Sequence, residues 1–277
     1  AFSEVALKNE YGPDDGRIKK WQAPINVWID HQVGDQKLHE ELLLWHINHL
    51  ADITGHPMRL VKRRQQANVH FTYTQFEKMQ KSARKQLGKK ADTVLYSTLC
   101  LAQVTTGPNN QINQARIIIP VDQARMHGKL VSCSVEEMTQ ILGLVNDSNA
   151  VYPSIFNDRT PNELLSGLDY LLLKILYTPD MHAGMNKTEA LNVSRKVIYE
   201  LIASGESIQA SKTVSSGKLY EIMGYRSIKG VESYSLKHFY IIGLVSQLCF
   251  HVTMINHIVS ASVFCLVNRL VRIFNMQ

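Results

Sequence analysis

Residues 131–158, VSCSVEEMTQILGLVNDSNAVYPSIFND, constrain the fold more than any other stretch of the chain. Val135, Met138, Ile141 and Leu142 recur at helical spacing, so this helix has an apolar face that must be buried. Ser132 or Ser134 is the expected N-cap, since a short side-chain oxygen can accept from an orphaned helical N–H. Glu136 and Gln140 are four residues apart and project from one face, with Glu137 one position round. Gly143 follows the last apolar turn, where a left-handed residue ends a helix and reverses the chain. Asn146 and Asp147 then return towards the face that carries Glu136 and Gln140.

Zinc peptidases use a comparable geometry. Their H-E-x-x-H helix presents two imidazoles on one face with a glutamate base between them. The longer H-E-x-x-H-x-x-G-x-x-H form turns at the glycine to bring in a third ligand. On that frame the chain runs Glu136-Glu137-Met138-Thr139-Gln140-Ile141-Leu142-Gly143-Leu144-Val145-Asn146. The glutamate and the glycine are kept, and every histidine is absent. The wider sequence resembles a bacterial secreted family, domain of unknown function 2927. The resemblance is carried by residues 136–148, 153–158 and 168–177, Gly184-Met185, the opening FSEVALKNEYG and the Trp21 segment. It covers roughly the first 200 residues. It implies a relation to zinc peptidases, a zincin-like fold and export.

The 277 residues suffice for one sizeable core, or a core with an appendage. The net charge of +6 raises the question of nucleic acid. Much of the excess lies in Lys62-Arg63-Arg64 and in residues 78–90, and the second run reads as a solvated helix face. No nucleic-acid-binding motif accompanies them, so a nucleic-acid partner is not expected. None of the four cysteines has C-x-x-C spacing, which argues against a structural zinc site. A start at Ala1 without a signal-like apolar run fits a processed secreted chain, and fits a trimmed one equally.

Alternation predicts a strand over 25–29 and a weaker one over 94–104, 58–62 and 68–73 read as two further strands, and 115–119 reads as a buried strand stopped by Pro120. Helical spacing predicts helices over 2–8, 38–53, 74–86, 160–177, 187–203 and 218–223. Strands and helices mix in the first half, and helices fill the second. Pattern alone makes this an α+β fold. The resemblance refines it to a zincin-like layout: an N-terminal mixed twisted sheet with helices, a central active-site-type helix and a helical C-terminal half. The expected division is a domain over 1–205, a linker with a short helix over 206–237, and an apolar helix over 238–277. Residues 239–267 lack Asp, Glu, Lys and Arg, and about 20 apolar residues span a bilayer. That run is a candidate membrane anchor, although Gln247, His251, Asn256 and His257 interrupt it.

Two readings of the central helix stand. In one, Glu136, Gln140, Asn146 and Asp147 are metal ligands and Glu137 is a catalytic base. An oxygen-only set suits a hard divalent cation such as calcium better than zinc. In the other, the helix persists as a scaffold without any cofactor, and Asn146 and Asp147 shape the turn. Ser132, Ser134 and Ser148 have no histidine at a nucleophile's spacing. His39, His46 and His49 share one helix and read as surface histidines. Beside His182, Met181 or Met185 forms either a methionine turn beneath a metal or a core plug. Ser154, Asn157 and Asp158 read as satisfying loop backbone. Asp169 lies in an apolar run and needs a buried partner, with Arg116, Arg125 or Arg159 available.

The resemblance places the domain outside the cytoplasm, periplasmic or extracellular, where disulfides persist. Cys100 and Cys133 are the expected pair, pinning the start of the central helix to the sheet. The functional expectation is an exported, metallopeptidase-related protein with a degenerate site and a binding or scaffold role at the cell envelope. Its partner would be a protein or peptide. The alternatives are an active metal-dependent hydrolase using Glu137, and a structural envelope protein.

Overall fold

Apolar side chains at every second position build a six-stranded sheet. In the computed structural model, residues 1–10, 14–87, 98–159 and 162–224 are described. The strands are β1 (Lys20–Trp21), β2 (Ile25–His31), β3 (Met58–Leu60), β4 (Val69–Thr74), β5 (Leu101–Thr106) and β6 (Gln111–Pro120). The order is β1-β6-β4-β2-β3, with β5 also paired to β6. Every pairing is parallel except β5 with β6, so the sheet is mixed, as expected. One edge of β6 carries β5. Along its other edge β1 pairs at Gln111 and Ile112, and β4 from Ala115 to Pro120.

Parallel neighbours need a crossover, and helix α2 (Gln36–Thr54) supplies it between β2 and β3. The register aligns Ile29, Phe71 and Ile117 in one row, and His31, Tyr73 and Ile119 in another. Phe71, Tyr73, Ile117 and Ile119 are fully buried, which marks the core face of the sheet. The remaining helices are α1 (Phe2–Ala6), α3 (Phe76–Leu87), α4 (Val121–Met126), α5 (Leu130–Gln140), α6 (Gly167–Tyr177), α7 (Lys187–Ala203), α8 (Glu206–Ser215) and α9 (Lys218–Ile222). The core joins the inner sheet face to Leu43, Ile47 and Leu50 of α2, Met138 of α5 and Leu173 and Leu176 of α6. Helix α5 packs against α2, β5 and β6, so its position is set from three sides.

Several expectations need correction. Helix α5 begins at Leu130, so neither Ser132 nor Ser134 is an N-cap. Inside the helix their hydroxyls donate instead to the carbonyls of Lys129 and Leu130. Helix α6 begins at Gly167 rather than at residue 160, because Ser166 and Asp169 form a capping box there. Helix α4 was not foreseen; it follows Pro120 directly. Helix α8 occupies part of the stretch read as a linker and packs on α6, where Tyr170 donates to Glu206 at 2.5 Å. Ala1–Arg226 form one compact unit. Strand β5 takes up only the end of the 94–104 stretch, whose start lies outside the described residues. Residues 239–267 also lie outside them. Among the described residues no helix is long and apolar enough to cross a membrane.

Candidate metal centre and cleft

The apolar stripe of α5 faces the core, which turns Glu136 and Gln140 towards the chain that follows. At the end of the helix Gly143 adopts φ 118°, a conformation that L side chains rarely take. A Cβ there would stand 2.1 Å from the Lys19 carbonyl oxygen, so the reversal is pressed directly against backbone. Two aromatic side chains satisfy carbonyls at the end of the helix. Trp21 Nε1 donates to the Ile141 oxygen at 2.7 Å, and Tyr177 Oη to the Leu142 oxygen at 3.0 Å.

The reversal brings Asp147 back to Gln140, whose Nε2 donates to Asp147 Oδ1 at 2.8 Å. Asn146 faces elsewhere. Its Nδ2 donates to the carbonyls of Glu4 and Asp147 at 2.8 and 2.9 Å, tying the turn to α1. The next loop folds back through Ser148 N–H to the Phe156 oxygen at 2.8 Å. There Asn157 does the work expected of the polar loop residues: its Nδ2 donates to the carbonyls of Asn149 and Val151. Asp158 instead joins Glu136 and Asp147, and one carboxylate oxygen from each lies within 4.8 Å of the others.

Glu136 and Asp147 are half-buried, Asp158 is exposed, and Glu137 is 7 % exposed. Burial, then the charges of Asp147, Asp158 and Glu10, push the Glu136 carboxyl up to about 9, against the pull of Lys129. Burial, Glu10 and Asp158 raise Asp147 to about 7, although the Gln140 hydrogen bond favours its ionised form. Glu137 is driven well above the usual carboxylate range by burial first, then by Glu136, Glu10 and Asp147. The cluster is therefore short of positive charge, which favours the protonated form of its carboxyl groups.

The other singled-out residues fall as follows. His39 and His46 are buried, at 0 % and 2 % exposed, not on the surface. They sit in register with Leu42, Leu43, Ile47 and Leu50 on the apolar face of α2, and that spacing was readable in the chain. His46 Nε2 lies 3.0 Å from both the Val135 oxygen and Thr139 Oγ1, and burial pushes its pKa down to about 3. Asp169 finds no arginine. It accepts from Ser154 Oγ at 2.5 Å, Ile155 N–H at 3.1 Å and Ser166 N–H at 2.7 Å. Met181 is 1 % exposed and plugs the core, while His182 is exposed.

A cleft of about 580 Å³ runs beside β5, lined by residues 101–104 of that strand, Met79 and Ala83 of α3, and Gln140 and Ile141 of α5. The Cys100–Cys133 disulfide, with Cα atoms 5.9 Å apart, ties the start of β5 to the first half of α5. It thereby couples the cleft wall to the helix that carries the carboxylates.

These features define a class: a mixed α and β domain with a largely parallel sheet, an antiparallel edge strand along a cleft, and a carboxylate cluster on its central helix. The chain belongs to the family described as a protein of unknown function (DUF2927), whose family model matches residues 1–196. No curated protein matches it.

Proposed function

We propose that this is an exported, zincin-related protein that has lost its zinc site and uses the cleft along β5 to hold an extended polypeptide. The observation that carries the reading is the position of β5. Among the described residues β5 pairs only with β6, and its residues 101–104 line the cleft. An extended peptide can add there as a further strand, its backbone supplying affinity and the lining apolar side chains selectivity. A helix ending in a glycine reversal beneath an antiparallel edge strand supports the zincin-like layout. The disulfide supports an oxidising compartment, periplasmic or extracellular.

The zinc that an H-E-x-x-H helix holds does not fit these residues. Glu136 and Gln140 stand where imidazoles are needed, and the amides of Gln140 and Asn146 are already engaged by Asp147 and Glu4. A hydrolase with Glu137 as base fares worse than a binding role. A base must be ionised, and burial followed by the charges of Glu136, Glu10 and Asp147 disfavours the ionised form of Glu137.

Hydrogen exchange on the full chain tests the reading, with a reduced and carboxymethylated polypeptide as the extended ligand. Amides of residues 101–106 should gain protection, and the polypeptide should remain intact by mass spectrometry. Unchanged exchange in β5 would refute the cleft. Cleavage lost on Glu137→Gln would replace binding by hydrolysis.

A further inference from the structure

We propose that the outer face of the sheet docks a linear, base-free polymer of repeating phosphate diesters, held by Arg59, Arg64 and Arg116. Pleating turns Val27, Val69 and Ala115 into the core and their successors Trp28, His70 and Arg116 outwards. The register sets those three in one row across β2, β4 and β6, and Gln103 of β5 continues it. Arg59 of β3 is aligned with Asn26, and its Nε donates to Asn26 Oδ1 at 2.8 Å, so it joins the same face. Arg64 opens the short turn after β3 and lays its guanidinium over the Trp28 ring, 5.7 Å from the centroid. His70 meets that ring edge-on at 5.8 Å. Helix α3 packs on this face at Leu101 and Ile118. Beyond it Arg59, Arg64, Gln103 and Arg116 are exposed.

The face is positive and not neutralised from within. Asp30 is the only acidic residue on the six strands, and its Oδ2 already accepts from Gln32 Nε2 at 2.8 Å. Lys62 and Arg63 are exposed beside Arg64. Among the described residues none of Arg59, Lys62, Arg63, Arg64 and Arg116 forms an ion pair. The imidazole between them registers the field. Burial lowers the His70 pKa, and Arg64 and Arg116 lower it further against the pull of Asp30.

The spacing points to a chain rather than a single anion. Asn26 and Trp28, over which Arg59 and Arg64 rest, are two residues apart along β2, about 7 Å. Arg116 stands two strands across from Trp28, about 10 Å. The guanidinium groups therefore form an array, which matches charges repeated along a polymer. Guanidinium pairs with phosphate through two parallel hydrogen bonds, which selects phosphate over isolated carboxylates. Binding of single-stranded nucleic acid uses aromatic rings as platforms for bases. Here the Trp28 ring is taken up by Arg64 and His70, so the face offers contacts to phosphate and none to bases. None of the exposed large apolar side chains among the described residues lies on the sheet, so it presents no wedge to a lipid surface.

Titration of the full chain at low salt tests this, with three probes. They are an abasic phosphodiester oligomer, an oligothymidylate of equal length, and phosphatidylglycerol vesicles. We expect saturable binding of the abasic oligomer, with the oligothymidylate within about threefold of it, since no base is stacked. Arg116 also lines the cleft, so Arg59 and Arg64 are the residues to change. The double variant Arg59→Ser, Arg64→Ser, at exposed positions, should bind the oligomer about tenfold more weakly or worse. Its plot of log affinity against log salt should lose about 1.4 in slope, about 0.7 for each phosphate contact removed. Arg59→Lys with Arg64→Lys keeps both charges and should restore the slope. Absence of saturable oligomer binding overturns the proposal, and so does a slope unchanged in the serine variant or not restored by lysine. Oligothymidylate bound tenfold more tightly than the abasic oligomer would make the ligand a nucleic acid, and binding confined to vesicles would make it a membrane; either result overturns the assignment.

Discussion

His39→Phe should make the protein more resistant to acid. His39 is fully buried in α2, its ring stacked on Tyr73 with centroids 4.2 Å apart, and neither ring nitrogen has a hydrogen-bond partner. Burial, followed by the charges of Arg125 and His31 and opposed by Asp35, lowers its pKa from 6.5 to about 4. The sign follows from linkage. Between those values the unfolded chain binds a proton that the folded chain refuses. The contribution to stability is therefore complete above pH 6.5 and is lost as pH falls towards about 4. At about 1.4 kcal/mol per pH unit, the gap amounts to about 3 kcal/mol.

Phenylalanine preserves the stack and forfeits no hydrogen bond, so it removes the titration with little other cost. His46 adds an acid-sensitive contribution of the same sign, and the carboxylate cluster one of the opposite sign. Both cancel when variant and parent are compared at each pH. Urea unfolding of the two proteins from about pH 7.5 down to about pH 4 should show the variant gaining stability progressively below pH 6.5. The gain should approach 3 kcal/mol, on the order expected from the linkage. A difference between the two that does not change with pH would refute the reasoning, because the fold would then not be excluding the proton.

Replacing both Cys100 and Cys133 by serine opens a cross-link between residues 33 apart. Chain entropy assigns it about 3–4 kcal/mol, so calorimetry should find the melt lowered by roughly 10 °C. Gly143→Ala places a methyl group 2.1 Å from the Lys19 carbonyl oxygen at φ 118°, and should cost about 3 kcal/mol or more in urea unfolding. A wild-type midpoint in that variant would show that the turn can move away from β1.

Much of the architecture is written in short-range chemistry. Helix α7 spans Lys187–Ala203 as the periodicity predicts, because Asn186 and Glu189 form a capping box and the apolar spacing does the rest. Strand β6 contains the expected 115–119 run, since a short apolar, β-branched run stopped by a proline is itself the signature of a buried strand. The burial of His39 and His46 was legible too, in their register with the leucines of α2; reading histidine as a surface residue hid it. Expecting arginine beside Asp169 was an error of the same kind: the capping box with Ser166 was present in the sequence at the right spacing.

Neither the pairing of the strands nor the membership of the carboxylate cluster is local. Each strand's pattern states which face it buries but says nothing of its neighbour, so the antiparallel β5 beside five mutually parallel strands emerges only from packing. Glu136 and Gln140 share a helix face by spacing alone, and the spacing could not tell that Gln140 serves Asp147. Asp158 reaches Glu136 only after the chain has reversed at Gly143 and again through the Ser148–Phe156 hydrogen bond. Periodicity governs residues within a few positions of one another. Which distant side chains meet is decided by the core, because burying the apolar faces of α2, α5 and α6 together leaves the loops one way to close.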